Sequence, residues 1–123
     1  MKLTPLLILL ALTVPARAEL PSNLPVATAK KLILADRNRI FRDPGSIRDA
    51  KIGQPFTCRD GSGDCVCIEA NAKNALGGYT GIQLIGIQFP GRTHAESFGT
   101  MAEAARTEPC GALKPFPELN GKH

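Results

Sequence analysis

The first strong pattern of apolar residues after residue 20 has the spacing of a helix. One side of that helix collects four apolar positions, Val26, Ala29, Ile33 and Ile40. Ser22 or Asn23 can cap its beginning, and Pro25 suits a first helical turn. Because a proline disfavours helical geometry in the residue before it, Pro44 limits the other end. The pattern therefore predicts a helix from about residue 22 to about Arg42.

Three extended segments follow, separated by sequences that are typical of turns. They are predicted at about residues 47–58, with an interruption at 53–55, then at 65–71 and at 79–89. The turn before the first strand is Asp43-Pro44-Gly45-Ser46, and glycine-containing connections precede the second and third. Connections this short favour an antiparallel meander, in which each strand pairs with the next one along the chain.

Side chains alternate between two faces along the second and third predicted strands. The second strand places Val66, Ile68 and Ala70 on one face and Cys65, Cys67, Glu69 and Asn71 on the other. In the third strand Ile82 and Leu84 share one face, whereas Ile85, Ile87 and Phe89 take the opposite one. This change indicates either that both faces are covered or that a bulge lies near Leu84.

The end of the chain predicts one further helix and a loose tail. Thr100 and Glu103 have the spacing of a capping box, so a last helix is expected at about Thr100–Thr107. The predicted fold is α+β: an N-terminal helix, a three-stranded antiparallel meander and a short C-terminal helix, stapled by disulfides. We expect a single domain at residues 19–112 and a loose tail at 113–123.

The first 18 residues have the features of a signal peptide. Lys2 precedes an apolar run over 6–14, and Ala16-Arg17-Ala18 is a small-x-small cleavage site. The run is too short to cross a bilayer, which takes about 20 apolar residues. These features predict a periplasmic or secreted protein whose mature chain starts at Glu19 and has no membrane span. Glu19, not a cysteine, stands directly after the cleavage site, so we expect no lipid anchor.

Composition and charge narrow the classes of function. Loss of Lys2 and Arg17 leaves 13 basic residues against 11 acidic ones. Five basic residues cluster within the predicted helix, where a solvated helix face is favoured over a ligand patch: Lys30, Lys31, Arg37, Arg39 and Arg42. We therefore expect no nucleic-acid partner. The sequence contains none of the common nucleophile, phosphate-binding or zinc-protease motifs, so we expect a protein without catalytic activity, cofactor or metal.

The four cysteines predict a disulfide framework in an exported chain of this size. Cys58 and Cys65 flank a six-residue loop, so a hairpin would place them opposite each other. Cys67 would then pair with Cys110. The alternative is a periplasmic soft-metal site, because Cys65 and Cys67 project from one face of a strand and free thiolates there could chelate Cu(I) or Zn.

Three other groups of polar residues are weaker candidates for chemistry. Asp60, Ser62 and Asp64 alternate like the start of a calcium loop, but Cys65 stands where that loop needs glycine, which favours a hairpin loop. His94 has no evident metal partner and fits a loop histidine. Glu69 fits a surface or cross-strand ion pair.

The connection between the second and third strands is the predicted partner-binding surface. Two amides, Asn71 and Asn74, flank Lys73, and the only tyrosine, Tyr79, follows Gly77-Gly78. A structural role competes with this interpretation, because asparagine and glycine also build turns. If the surface recognises a partner, the amides could bind backbone or sugar groups, the lysine an anion, and the tyrosine an interface.

The same stretch resembles a motif of small uncharacterised proteobacterial exported proteins and lipoproteins. Their pattern reads approximately V-C-G-x-V-N-A-K-N-x-x-G-G-Y-x-G, and the corresponding stretch of this chain runs from Val66 to Gly81. This chain departs from the pattern at two positions: Ile68 replaces the usual Gly, and Ala70 replaces the usual Val. An upstream D-P-x-S resembles residues 43–46, and a cysteine after a last helix resembles Cys110. The resemblance covers most of residues 24–111 and implies no particular activity.

These observations together predict a small exported, non-catalytic protein that binds a ligand or is associated with the cell envelope. Its partner is expected to be a protein or a small polar ligand. The alternative is the soft-metal-binding protein that would use Cys65 and Cys67.

Overall fold

The computed structural model describes residues 21–121, so the predicted signal peptide and its cleavage site lie outside the described residues. Two helices come first, α1 (Val26–Ala35) and α2 (Arg37–Ile40). Six strands follow: β1 (Arg48–Ile52), β2 (Phe56–Thr57), β3 (Asp64–Lys73), β4 (Tyr79–Phe89), β5 (Glu96–Thr100) and β6 (Lys114–Pro115). Short 3-10 helices lie at Pro44–Ser46, Pro90–Arg92, Glu103–Arg106 and Pro117–Leu119.

The six strands form one antiparallel sheet, in which five of them follow the order β5-β4-β3-β1-β6. Strand β2 also pairs with β3, beside its first residues, where Phe56 faces Cys65. The central strand β3 is therefore flanked along its length, by β4 on one side and by β1 and β2 on the other. Of its ten residues, the first seven are buried, which places the middle of the sheet in the core.

The helix α1 covers one face of the sheet, which we call the helix face. Its buried residues Ala29 and Ile33 belong to one apolar cluster with Val66, Ile68 and Ile87 of the central strands. Each fully buried aliphatic side chain of this kind contributes about 1.5–3 kcal/mol relative to an exposed one. This cluster is the larger of the two cores.

The opposite face holds a second, smaller core, and we call it the disulfide face. Phe56, Leu84 and the four cysteines form this cluster, with Met101 and Ala105 packed against it. The Cα atoms of Cys58 and Cys65 are 5.1 Å apart and those of Cys67 and Cys110 are 5.4 Å apart, and both pairs are disulfides, as the sequence predicted. The mixed pattern of β4 arises because both faces of the sheet are covered.

The predicted architecture, an N-terminal helix with a three-stranded meander and a short C-terminal helix, is wrong. The sheet has six strands, and the predicted last helix at Thr100–Thr107 comprises the end of β5 and one 3-10 helix. Strand β5 is extended because it pairs with the outer edge of β4, where Gly86 faces Gly99. Residues 96–100 contain a glycine and no alanine, so their own helix propensity is low, and the alanines that follow lie in and beside the 3-10 helix Glu103–Arg106.

The first helix is also shorter than predicted. It ends at Ala35 rather than near Arg42, and only the four-residue α2 follows. Asp36 lies between the two helices, and its carboxylate accepts a hydrogen bond of 2.8 Å from the backbone N–H of Ala95. This contact fastens the break between the helices to the segment that leads into β5.

The segment after residue 113 is part of the fold, so the prediction of a loose tail does not describe residues 114–119. Strand β6 pairs with β1, and the backbone N–H of Phe116 donates to the carbonyl of Ala50 at 2.8 Å. Phe116 and Leu119 are buried in the core of the helix face. Lys30 of α1 adds a cation–π contact, with its ammonium 5.3 Å from the ring centroid of Phe116.

A polar cluster fastens the beginning of the described chain to β3. Arg92 donates two hydrogen bonds to Asp64, from Nε at 2.7 Å and from Nη2 at 3.0 Å, and also contacts Asn23. The hydroxyl of Ser22 donates to the same carboxylate. These contacts, and first of all the hydrogen bond from Arg92, lower the pKa of Asp64 below its ordinary value of 3.8.

This cluster predicts a pH dependence of stability. A carboxylate whose pKa is lowered by folding stabilises the native state above its unfolded pKa and loses that contribution as the pH falls through the folded value. We therefore expect the free energy of unfolding to fall less steeply below about pH 4 in Asp64→Asn than in the wild type. Urea unfolding at a series of pH values measures both slopes. The exposed carboxylate variant Glu118→Gln is the control, and equal slopes for wild type and Asp64→Asn would contradict the prediction.

Candidate functional site

The amides of the predicted partner-binding surface are engaged by the backbone of their own hairpin. The side-chain oxygen of Asn74 accepts hydrogen bonds from the backbone N–H groups of Leu76, at 2.9 Å, and Gly78, at 3.2 Å. The side-chain oxygen of Asn71 accepts from the N–H of Gly81 at 3.1 Å. These contacts give both asparagines a turn-holding role, which is the structural role that the sequence left open.

Tyr79 and Lys73 join this hairpin to the 3-10 helix Pro44–Ser46. The hydroxyl of Tyr79 donates to the carbonyl of Ser46 at 2.9 Å, and the hydroxyl of Ser46 accepts from the backbone N–H of Lys73 at the same distance. Ser46 is buried, and its hydroxyl in turn donates to the carbonyl of Asp43 at 2.7 Å. The two sequence motifs, D-P-x-S and N-A-K-N…G-G-Y, therefore meet in space and are bonded to each other.

Two cations lie near the ring of Tyr79. The guanidinium carbon of Arg48 is 3.4 Å from the ring centroid, and the ammonium of Lys73 is 5.6 Å from it. Such contacts are favourable because the face of an aromatic ring carries partial negative charge. Of the four residues proposed as a partner-binding surface, the structure thus brings Lys73 and Tyr79 together and assigns Asn71 and Asn74 to the turn.

The hairpin contacts predict a measurable loss of stability when the side chain of one asparagine is truncated. Asn74→Ala removes the acceptor for two backbone N–H groups, so we expect the free energy of unfolding to fall by about 1–2 kcal/mol. The matched control is Leu76→Ala in the same turn, because Leu76 is 93% exposed and has little packing to lose. Urea unfolding measures both variants. Equal stability of Asn74→Ala and wild type would show that the amide does not hold the turn.

All four cysteines are oxidised, and the structure has no free cysteine within residues 21–121. A soft metal needs thiolate ligands, so a site at Cys65 and Cys67 would require both disulfides to be reduced. Within the described part of the chain, no group of three or more His, Cys, Asp or Glu side chains could hold a metal ion.

The remaining polar candidates form local contacts. Asp60 accepts a hydrogen bond from the backbone N–H of Ser62 at 2.8 Å, within the hairpin loop that the sequence favoured. His94 contacts Thr93 and Glu96 through its two ring nitrogens, at 3.0 and 2.9 Å. The hydroxyl of Thr93 also donates to the carbonyl of Pro90 at 3.1 Å, so the contacts among Thr93, His94 and Glu96 lie within one local turn.

Glu69 is the one acidic side chain of β3 that is buried on the disulfide face. It accepts a hydrogen bond from Arg106, and its other oxygen lies 3.9 Å from the ammonium of Lys51. The hydrogen bond to Glu69, and after it the hydrogen bond to Glu103, raise the pKa of Arg106 above its ordinary value. The pair ties the 3-10 helix Glu103–Arg106 to the sheet, so Glu69 has the role of a cross-strand ion-pair partner.

A concave surface lies on the disulfide face. It is a groove of about 600 Å³, bordered by β5 and by the segment that follows it. Its apolar lining includes Phe56, Phe98, Met101 and the Cys58–Cys65 disulfide. Polar side chains at the groove are Arg59, Asp60, Ser62, Gln88, Thr100 and Glu108. The hydrogen bonds from Ser62, first from its side chain, lower the pKa of Asp60, so this carboxylate is charged at neutral pH.

Phe98 shapes one wall of this groove by covering a glycine of the neighbouring strand. A Cβ atom at Gly86 would lie 2.2 Å from the Phe98 ring, so no larger residue fits while the ring stays in place. Phe98 is itself 49% exposed, and it lines the groove. The groove was not predicted from the sequence; the signal that could have found it is Gly86 in the middle of a strand, where glycine indicates close approach.

No known protein family, curated protein or solved structure matches this chain. Its two disulfides are typical of an oxidising, extracytoplasmic environment. Among the residues that the structure describes, no helix is long and apolar enough to cross a membrane.

Proposed function

We propose that this chain is a small exported binding protein without catalytic activity, and that it holds a small apolar ligand in the groove of the disulfide face. The observation that carries the proposal is the groove itself. Its volume of about 600 Å³ lies within the range of roughly 300–1,000 Å³ that is usual for small-molecule sites. An apolar lining with a few polar groups beside it is the common design of such sites.

The second support is the rigidity of the groove. The Cys58–Cys65 disulfide forms part of its lining, and the nearby Cys67–Cys110 disulfide joins β3 to the segment after Met101. A site whose walls are already cross-linked loses less conformational entropy when a ligand binds. The ordering of the groove is thus largely complete before any ligand arrives.

The proposal is tested with Nile red, an uncharged apolar dye whose fluorescence rises in an apolar site. We expect a saturable rise that corresponds to one site per chain. The blocking variant is Ala104→Trp, because Ala104 lines the groove and is exposed, so a large side chain there fills space without removing a core contact. It should reduce the fluorescence change to a small fraction of the wild-type value.

The matched control is Ala27→Trp, at an exposed position of α1 on the opposite side of the sheet. This variant should bind the dye as the wild type does. Absence of a saturable signal with the wild type, or equal signals for both tryptophan variants, would overturn the proposed site.

A further inference from the structure

A second concave surface lies at the opposite side of the sheet, and its charge differs from that of the groove. We call it the hairpin pocket. It has a volume of about 230 Å³ and lies between the end of α2 and the β3–β4 hairpin. Its apolar lining comprises Ile40, Phe41, Ala70, Ala72, Ala75 and Ile85. The rest of its lining is polar and contains two cations, Arg42 and Lys73, and no carboxylate.

The two cations are uncompensated within the described chain. Neither Arg42 nor Lys73 forms an ion pair with any residue from 21 to 121. Asp43 follows Arg42 in the chain but does not line the pocket, and its backbone carbonyl is occupied by Ser46. Two positive charges beside an apolar wall favour a negatively charged ligand whose apolar part can contact that wall.

The hairpin holds one of the two cations in place. The backbone N–H of Lys73 is bonded to Ser46, and its ammonium lies 5.6 Å from the Tyr79 ring, which Arg48 also contacts. Arg48 therefore adds a third positive charge near this end of the molecule. Thr80, another residue of the lining, has its hydroxyl bonded to the carbonyls of Ala72 and Gly81, at 3.3 and 3.4 Å.

We propose that the hairpin pocket binds a small organic anion with an apolar body. The carboxylate of such a ligand would meet Lys73 and Arg42, and its apolar part would contact the aliphatic and aromatic wall formed by Ile40, Phe41 and Ile85. The pocket, at about 230 Å³, lies below the range of roughly 300–1,000 Å³ that is usual for drug-sized ligands, so it suits a smaller ligand than the groove on the other face. This binding site is independent of the proposed function in the groove.

The test uses phenylacetate, its uncharged analogue phenylacetamide and inorganic phosphate as probes. Each is titrated into the ¹⁵N-labelled protein with both disulfides formed, and the backbone amide shifts of the hairpin pocket are followed. We expect phenylacetate to give saturable shifts there and to bind about tenfold or more tightly than phenylacetamide, because charge-assisted hydrogen bonds are the stronger ones. Phosphate should bind more weakly than phenylacetate, because it lacks the apolar body.

Four variants locate the bound anion on the molecule. Lys73→Gln and Arg42→Gln should each weaken phenylacetate about tenfold, and Arg42 is exposed, so its replacement leaves the fold intact. Lys31→Gln, at an exposed lysine of α1, should bind as the wild type does, and so should the groove variant Ala104→Trp.

Four results would overturn the inference. The first is no saturable shift up to about 10 mM phenylacetate. The second is equal affinity for phenylacetamide, which would remove the role of charge. The third is equal affinity for phosphate and phenylacetate, which would show that the apolar body of the ligand does not contribute to binding. The fourth is loss of phenylacetate binding in Ala104→Trp but not in Arg42→Gln, which would move the ligand to the groove.

Discussion

Replacing Phe116 with alanine is expected to lower the free energy of unfolding by about 3–5 kcal/mol. The side chain is fully buried in the core of the helix face, and the ammonium of Lys30 forms a cation–π contact with its ring. Truncation would leave a cavity between β1 and the helix α1, and the surrounding backbone is held by strand pairing and cannot close over it. Urea unfolding at neutral pH, followed by circular dichroism, measures the change.

The matched control for this variant is Glu118→Ala, an exposed position only two residues away. Its effect should stay within about 0.5 kcal/mol. The comparison tests whether residues 114–119 belong to the fold. If Phe116→Ala were as harmless as Glu118→Ala, the segment would be a loose tail after all.

Removal of the Cys67–Cys110 disulfide in the double variant Cys67→Ala/Cys110→Ala is expected to cost about 4 kcal/mol in the chain-entropy account. The bridge joins residues 43 positions apart, so breaking it gives the unfolded chain much freedom. The corresponding variant Cys58→Ala/Cys65→Ala opens a bridge with a separation of only seven residues and should cost about 2.5 kcal/mol. Paired replacement avoids leaving a reactive thiol.

Thermal unfolding of the two double variants ranks the bridges. The melting temperature should fall further for the pair that includes Cys110. A larger loss for the Cys58–Cys65 pair would contradict the loop-length argument and would indicate that local packing in the groove decides the stability of this face.

The local pattern predicted the centre of the sheet well. The third strand was expected at residues 79–89, and β4 covers that range; the first strand and its interruption correspond to β1 and β2. Alternating side chains and turn residues are local signals, so they are readable without knowing the fold. The pairing of the cysteines was predictable for the same reason, since two of them flank a hairpin loop.

The edges of the sheet could not be predicted in this way. Residues 96–100 contain a glycine with φ of 110° and an exposed phenylalanine, and nothing in their own sequence shows that they pair with β4. Strand β6 has only two residues, one of them proline, and pairs with a strand from much earlier in the chain. Such elements exist because an existing edge offers hydrogen bonds, which is a property of the assembled sheet.

The candidate sites likewise divide into features that local sequence predicts and features that only the assembled fold shows. The hairpin residues were identified from sequence, but only the structure shows that Asn71 and Asn74 hold the turn and that Lys73 shares a pocket with Arg42. The groove was missed because its lining comes from several separate parts of the chain. Its walls are brought together by the β5 edge and by the disulfides.

The place of β6 in the sheet has a consequence for biogenesis. Ribosomes make the N-terminal residues first, yet β1 acquires its outer neighbour only from residues 114–115, and the helix-face core is complete only with Leu119. Cys58 and Cys65 can meet as soon as their hairpin has been made, whereas Cys67 must await Cys110. A chain delivered N-terminus first into an oxidising compartment would thus carry a lone Cys67 thiol until Cys110 arrives, so the correct bridge closes only after most of the chain has been delivered.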